Sequence, residues 1–355
     1  DKVVVETRRA GASDNQAVRW TCEGEAEYSI EDIEKPSRGT SITLHLKDDA
    51  LEFASQLRVH NIVKKYSDHI GIPVAIRKPD PDAEENTEAP VYKYEVINKA
   101  TALWTRPRNE ITDEEYKEFY KHLTHDFMEP LIWSHNRVEG KLDYTSLLYV
   151  PGHAPFDLYN RDVARGLKLY IQRTFIMDDA SQFLPSYLRF IRGVLDSNDL
   201  PLNVSREILQ HSPAVDSIRS ALVKRVLDML DKMAKESPDD YDKMWKEFGT
   251  VLKEGPAEDY ANRERIAGLL RFATTKTEDE KETASLADYL SRMKEGQEKI
   301  YYLVADNMIA ARNSAYLEVF RKRNVEVLLL TERLDEWTIS HIHEFEGKVL
   351  QDIAK

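Results

Sequence analysis

The stretch Ile300-Tyr-Tyr-Leu-Val304, followed by Asn307 to Arg323 and then Val325-Glu-Val-Leu-Leu-Leu330, decides the fold class. Two short apolar runs flank a segment of helical length, and an amphipathic segment follows from Asp335. That order predicts a βαβ unit with parallel strands and a right-handed crossover. Working back along the chain, 97–236 is also mixed. Thr112-Asp113-Glu114-Glu115 is a capping box leading a helix from Tyr116 to Thr124, while Tyr144 to Val150 and Leu167 to Met177 have strand composition. Leu184 to Leu195 reads as a helix or compact turn. Val215, Ile218, Leu222, Val226, Met229 and Met233 then give a long amphipathic helix. Pro238 to Phe272 reads as helical with an interruption at Gly255-Pro256, and Thr274 to Glu282 as a polar connection.

The first part of the chain is β-rich. Val3 to Arg8, Val18 to Cys22, Tyr28 to Ile33 and Ser41 to Leu46 are short runs separated by turn signals at Gly11, Gly24 and Pro36/Gly39, a pattern that predicts an antiparallel meander. Ala50 to Tyr66 has helical spacing. Lys78 to Pro90 is rich in Pro, Asp and Glu, buries little, and predicts a linker at a domain boundary. The expected organisation is therefore an α/β (α+β) chain: 1–78 a sheet and helix layer, 79–96 a linker, 97–236 a large αβα part, 237–284 a helical connector and 285–355 a small βαβ part.

With 355 residues the chain is too long for one core. Hydrophobic residues at 41% and charged residues at 32% describe a globular protein with a charged surface, and the net charge of -13 argues against a bulk nucleic-acid binder. Cys22 is the only cysteine, which excludes an internal disulfide and a cysteine zinc cluster. No apolar run approaches the ~20 residues of a membrane helix. Because the chain opens at Asp1-Lys-Val-Val-Val, already as a strand, a fragment with further sequence before it is expected.

Chemistry concentrates in Asp199-Leu-Pro-Leu-Asn-Val-Ser-Arg-Glu-Ile-Leu-Gln210. Ser205 is a good N-cap, which places Arg206 in the first turn of a helix, where backbone N–H groups already make the surroundings positive. Such a cation wants an anion: a local carboxylate such as Glu207, or a ligand phosphate. Other constellations are weaker. Glu118, His122 and His125 share a helical spacing that could hold a metal, but histidines on a surface helix are usually solvated; His341 and His343 point to opposite sides, so no metal is expected. Trp337, Ile342 and Phe345 form an apolar stripe that either packs on the βαβ sheet or meets a partner. Phe175 reads by its residues as core. There is no G-x-S-x-G, H-E-x-x-H, Walker A or G-x-G-x-x-G pattern.

The 199–210 run resembles the catalytic loop of the ninety-kilodalton heat-shock chaperones. So do Ala102-Leu-Trp-Thr-Arg106, Glu110 to Tyr120, Val138-Glu-Gly140, Ala154-Pro-Phe-Asp157, Lys253-Glu-Gly-Pro-Ala-Glu-Asp259 and Ser291 to Tyr302, in colinear order over nearly the whole chain. The resemblance implies that 1–78 ends an N-terminal GHKL-type ATPase domain and that the rest is a middle domain, with the dimerisation domain beyond Phe345. It further implies that Arg206 reaches the γ-phosphate of ATP (with Mg2+), that Gln210 sets the loop or the attacking water, and that Thr40, in Arg38-Gly-Thr-Ser-Ile-Thr-Leu-His-Leu46, lies by the adenine. Phe175 would belong to a patch where the ATPase domain docks, and Glu336 and Trp337 to a client-binding region. ATP belongs to the intact protein, and this piece alone would not hold it tightly. Unfolded or partly folded clients, co-chaperones and a second copy in a homodimer are the implied partners, in the cytoplasm and without nucleic acid or membrane. Two other readings stand beside it: the transducer of a GHKL topoisomerase or mismatch-repair ATPase, and a non-catalytic interaction scaffold.

Overall fold

The computed structural model describes residues 2–24, 27–79, 92–160, 166–202, 212–277 and 281–355, and the chain divides into two compact units, 1–100 and 101–355. In the first, β1 (Lys2–Arg8), β2 (Ala17–Cys22), β3 (Tyr28–Ile33) and β4 (Gly39–His45) form an antiparallel sheet in the order β3-β2-β1-β4. Only the first three strands are a meander; β4 returns to the far side of β1, so the expected simple meander is corrected. The register lines up two apolar rows on one face, Tyr28, Cys22, Val3 and Leu44, and Ile30, Trp20, Val5 and Ile42. Tyr28, Ile30, Ile42 and Leu44 are all exposed. The single helix expected over Ala50 to Tyr66 is a 3-10 turn (Asp48–Ala54) and a separate α1 (Gln56–Tyr66), because Ser55 turns its hydroxyl to Arg58 N and caps a new start. β5 (Ala75–Pro79) pairs with β6 (Tyr92–Val96), so this unit continues past the segment 79–96 to Ala100.

In the second unit α2 (Asp113–Thr124) starts at the expected capping box: Glu115 N donates to Thr112 Oγ1 while Glu115 Oε2 accepts from Thr112 N. β7 (Ile132–Val138), β8 (Tyr144–Val150), β9 (Leu167–Ile171), β10 (Thr174–Ala180) and β11 (Arg192–Ser197) make a sheet ordered β10-β9-β11-β8-β7, in which only β9 and β11 run parallel. Leu167 to Met177 is thus a hairpin rather than one strand, turned by Gln172 and Arg173, both at positive φ. Of the two alternatives for Leu184 to Leu195, the compact turn holds as a 3-10 turn (Ser186–Leu188), followed by the first part of β11. Alternation explains the layers. Leu148, Val150, Leu169 and Leu195 face one core, shared with α3 (Pro213–Glu236), whereas Leu147, Tyr149, Tyr170 and Val194 face another, shared with α2 and Trp104.

α4 (Pro238–Leu252), α5 (Gly255–Glu258) and α6 (Arg263–Leu269) follow, so Gly255-Pro256 opens a short helix instead of only interrupting one. β12 (Ala273–Thr274), α7 (Leu286–Ser291), β13 (Lys299–Val304), α8 (Met308–Arg312), α9 (Leu317–Lys322), β14 (Leu328–Leu330), α10 (Arg333–Ile342), β15 (Glu344–Phe345) and β16 (Lys348–Asp352) complete the unit. β13 and β14 are parallel, as the βαβ pattern requires. The helix between them breaks, however, because Asn313 bonds back to Ile309 O and Ser314 Oγ accepts from Tyr316 N, which competes with the helical ladder. β16, unforeseen, adds a parallel neighbour on the other side of β13. The core of the large sheet continues through α4 and α6 to Ile300, Leu328 and Leu350, so one apolar interior runs through all three parts of this unit.

Beneath α2 lies a buried histidine. His135 Nδ1 is 2.7 Å from Tyr116 Oη, its Nε2 is 2.8 Å from Trp104 O, and Tyr149 Oη donates to Tyr116 O. A carbonyl can only accept, so Nε2 carries the proton and Nδ1 receives the tyrosine hydroxyl. Burial keeps this imidazole neutral, pushing its pKa below the ordinary 6.5. Below pH 6.5 the unfolded chain binds a proton that the folded chain refuses, so stability falls with acid, by up to about 1.4 kcal/mol per pH unit. Urea midpoints at pH about 7 and about 5.5 should therefore differ, and His135→Gln should shrink that difference while lowering stability at pH 7.

Candidate functional site: the loop after β11 and a buried lysine

The segment Asp199 to Leu202 leaves the carboxyl end of β11, a strand lying between its parallel partner β9 and antiparallel β8. Ligand sites of open α/β sheets favour that end of a strand. The first residues are firmly held. Asn198 N and Nδ2 donate to Asp143 O and Oδ2, Asp199 Oδ2 accepts from Asp143 N, and Leu200 sinks into the core. Ser197 Oγ takes Leu200 N at 3.3 Å. Arg206 and Gln210, with the expected helix start at Ser205, lie outside the described residues; the chain is described again from Ser212, which precedes α3.

The β9–β10 turn sits against the same strand end. Gln172 N donates to Ser197 O at 3.1 Å, and Asp196 divides its carboxylate between Arg173 N (3.1 Å) and Trp104 Nε1 (2.8 Å). Phe175, two residues beyond the turn, is 8% exposed and meets Tyr170 edge-on with ring centroids 5.6 Å apart. The fold therefore brings the Phe175 hairpin and the start of the arginine loop to one edge. Asp143 and Asp196, which the sequence did not single out, tie them there.

Other sequence candidates are placed elsewhere. Thr40 is exposed on β4 with its hydroxyl 2.8 Å from that of Thr7. Glu336 and Trp337 are exposed on α10, and the Trp337 ring lies 4.9 Å from that of His341. The expected stripe of Trp337, Ile342 and Phe345 is corrected. Five residues advance a helix by about 500°, which turns Ile342 well away from Trp337, and Ile342 and Phe345 are core while Trp337 is not. His125 is the left-handed cap that ends α2, so it leaves the face of Glu118 and His122.

Among the described residues one carboxylate trio could suit a metal: oxygens of Glu282, Glu332 and Asp335 lie within 4.8 Å of one another. The position is already taken. The Nζ of Lys253, a fully buried side chain, is 2.7 Å from Asp335 Oδ1, 2.8 Å from Glu282 Oε1 and 3.0 Å from Glu332 Oε2. Burial alone would push this ammonium's pKa down; Asp335, Glu282 and Glu332 more than offset that, and the net shift is upward. Asp335 Oδ2 accepts from Thr331 N and Glu332 N, Glu282 Oε2 from Trp245 Nε1, and Thr338 Oγ1 donates to Lys253 O. The sequence reading passed Glu282 over as part of a polar connection; a lysine directly after the apolar run Val251-Leu252 was the available signal.

Comparison with known proteins matches the family described as Hsp90 protein to residues 78–355. The chain belongs to the Hsp90 family. Two proteins named Chaperone protein HtpG, from Vibrio cholerae serotype O1 strains ATCC 39541 (O395) and M66-2, are each 59% identical over all 355 residues, covering 100% of this chain and 56% of theirs. The chain thus spans about half the length of the curated relatives it matches. The topoisomerase-type reading is set aside by this match. In this Hsp90-family chain the Lys253 cluster ties the helical connector to the small sheet, and removing the cation leaves three carboxylates facing one another. Lys253→Met should cost about 3–5 kcal/mol in a chemical denaturation experiment.

Proposed function

We propose that this chain is the part of an ATP-dependent, cytoplasmic molecular chaperone that supplies Arg206 to the nucleotide and part of the client surface. The observation that carries the reading is the shared strand edge: the loop bearing Arg206 departs from a β11 end held by Asp143, beside the Phe175 turn held by Asp196. A loop fixed at its root can carry a guanidinium toward a phosphate presented by another domain. There Arg206 would neutralise charge on the γ-phosphate of ATP held with Mg2+ by the N-terminal ATPase domain, with Gln210 positioning the loop or the attacking water and Thr40 lying by the adenine. Phe175, 8% exposed and packed on Tyr170, would hold up from within the hairpin against which that domain docks. Glu336 and Trp337 present an aromatic ring flanked by acid to unfolded or partly folded clients. The intact protein would act as a homodimer, open to co-chaperones, without nucleic acid or membrane; no described helix is long and apolar enough to cross one.

Arg206→Ala in the full-length protein should lower ATP turnover on the order of 10³-fold with nucleotide affinity nearly unchanged. The chain itself, added to a purified N-terminal ATPase domain, should stimulate turnover only with Arg206 intact. Absence of stimulation by the unaltered chain would leave the scaffold reading instead. For clients, Trp337→Ala should weaken binding of a labelled unfolded polypeptide about tenfold in an anisotropy titration, consistent with an aromatic hot spot. Unchanged affinity would remove Trp337 from the client surface.

A further inference from the structure

The crossover between β13 and β14 has an outer face that the core leaves unused. In α9, Leu317 is buried and Phe320 half-buried, the latter meeting Tyr301 with ring centroids 4.9 Å apart, so these two residues fix the inner side of the helix. Tyr316, just before it, already has helical dihedrals, φ -61° and ψ -25°. Three and seven residues on, at about 100° each, Val319 and Arg323 therefore return to within about 60° of Tyr316. Tyr316 and Val319 are 56% and 54% exposed, and Arg323 is exposed in line with them.

The surroundings hold this stripe in one geometry. Asn324, at positive φ, ends the helix; its N–H donates to Arg321 O, and Val325 N donates to Phe320 O at 2.8 Å. Arg321 Nη2 donates to Arg312 O, which ties α9 to the end of α8. From Met308 to Asn324 four basic residues, Arg312, Arg321, Lys322 and Arg323, stand against one acid, Glu318, in a chain whose net charge is -13. Glu318 is committed to Lys322 at 2.6 Å, and among the described residues no acid forms an ion pair with Arg321 or Arg323. Cations at the carboxyl end of a helix suit its dipole, which accounts for the charges. It does not account for an aromatic and an aliphatic side chain one turn apart along the same stripe.

We propose that Tyr316, Val319 and Arg323 form a docking surface for an acidic peptide segment of another protein, one that carries apolar side chains beside its carboxylates. The planar fork of Arg323 takes a carboxylate, and an apolar side chain lies on the Tyr316 ring and Val319. Charge selects this occupant over a membrane or a nucleic acid. A short peptide feels the charges within about 8–10 Å, where α9 is positive. A membrane or a duplex also meets the acidic remainder of the chain, and two helical turns offer too little apolar surface to lie in a bilayer.

A fluorescein-labelled peptide of glutamate and leucine is titrated with the chain up to about 1 mM at low salt, following its anisotropy. Two counterparts, one with lysine for every glutamate and one with serine for every leucine, are titrated alongside. Saturable binding of the first peptide alone is expected. Arg323→Glu should weaken it at least about tenfold, and Tyr316→Ser about fivefold. No saturable binding, equal binding of either counterpart, or undiminished binding in Arg323→Glu or Tyr316→Ser would overturn the proposal. So would binding of phosphatidylserine vesicles in place of the peptide, or dimerisation of the chain that Tyr316→Ser abolishes and that leaves no peptide binding.

Discussion

The architecture of the second unit depends on a single ammonium group. Lys253 enters the interior at the end of α4 and finds a buried Asp335 at the start of α10, with the partly exposed Glu282 ahead of α7 and the exposed Glu332 beside it. Asp335 would be costly there without the cation, and the cation without its carboxylates. The arrangement is closed by geometry as much as by charge. Asp335 spends its second oxygen on the backbone that begins α10, so the same residue caps a helix and holds the lysine. A nonpolar joint could slide; this one has one register.

A similar logic, carried out with neutral donors and two carboxylates, governs the strand edge that holds the arginine loop. Asp196 is shared between an indole N–H and a turn amide, and Asp143 takes two donors from Asn198. Both acids lie at strand ends, where the sheet ladder no longer satisfies the backbone. They root the loop and the Phe175 hairpin in one rigid body.

What could be read from the chain in advance was whatever depends on nearby residues. The Thr112–Glu115 capping box, the α3 periodicity and the parallel pairing of β13 with β14 are all set by spacing within a few residues or by chain order. Readings failed where a single polar side chain interrupts an otherwise continuous pattern, as at Ser55 and at Asn313 with Ser314, or where a turn uses non-glycine residues at positive φ, as at Gln172 and Arg173. The Lys253 cluster was illegible for a different reason: its members are up to 82 positions apart (253 to 335), and nothing local marks a carboxylate as buried. Trp337 was grouped with Ile342 although helix phase separates them. Arg206 stood out by its place at an expected helix start, but its role at the nucleotide, and Gln210 altogether, came from resemblance.

The parallel ladder between β13 and β16 has a mechanical side. Its register runs from Lys299 with Val349 to Tyr302 with Asp352, so the two strands point the same way. Tension drawn along β16 toward its carboxyl side, against an anchor before β13, would have to slide one strand past the other, loading all the ladder bonds together rather than opening them in turn. The two-residue antiparallel contact with β15 would peel first. Pulled from that side, the small sheet behaves as a shear clamp, passing force into the core instead of unravelling at its edge.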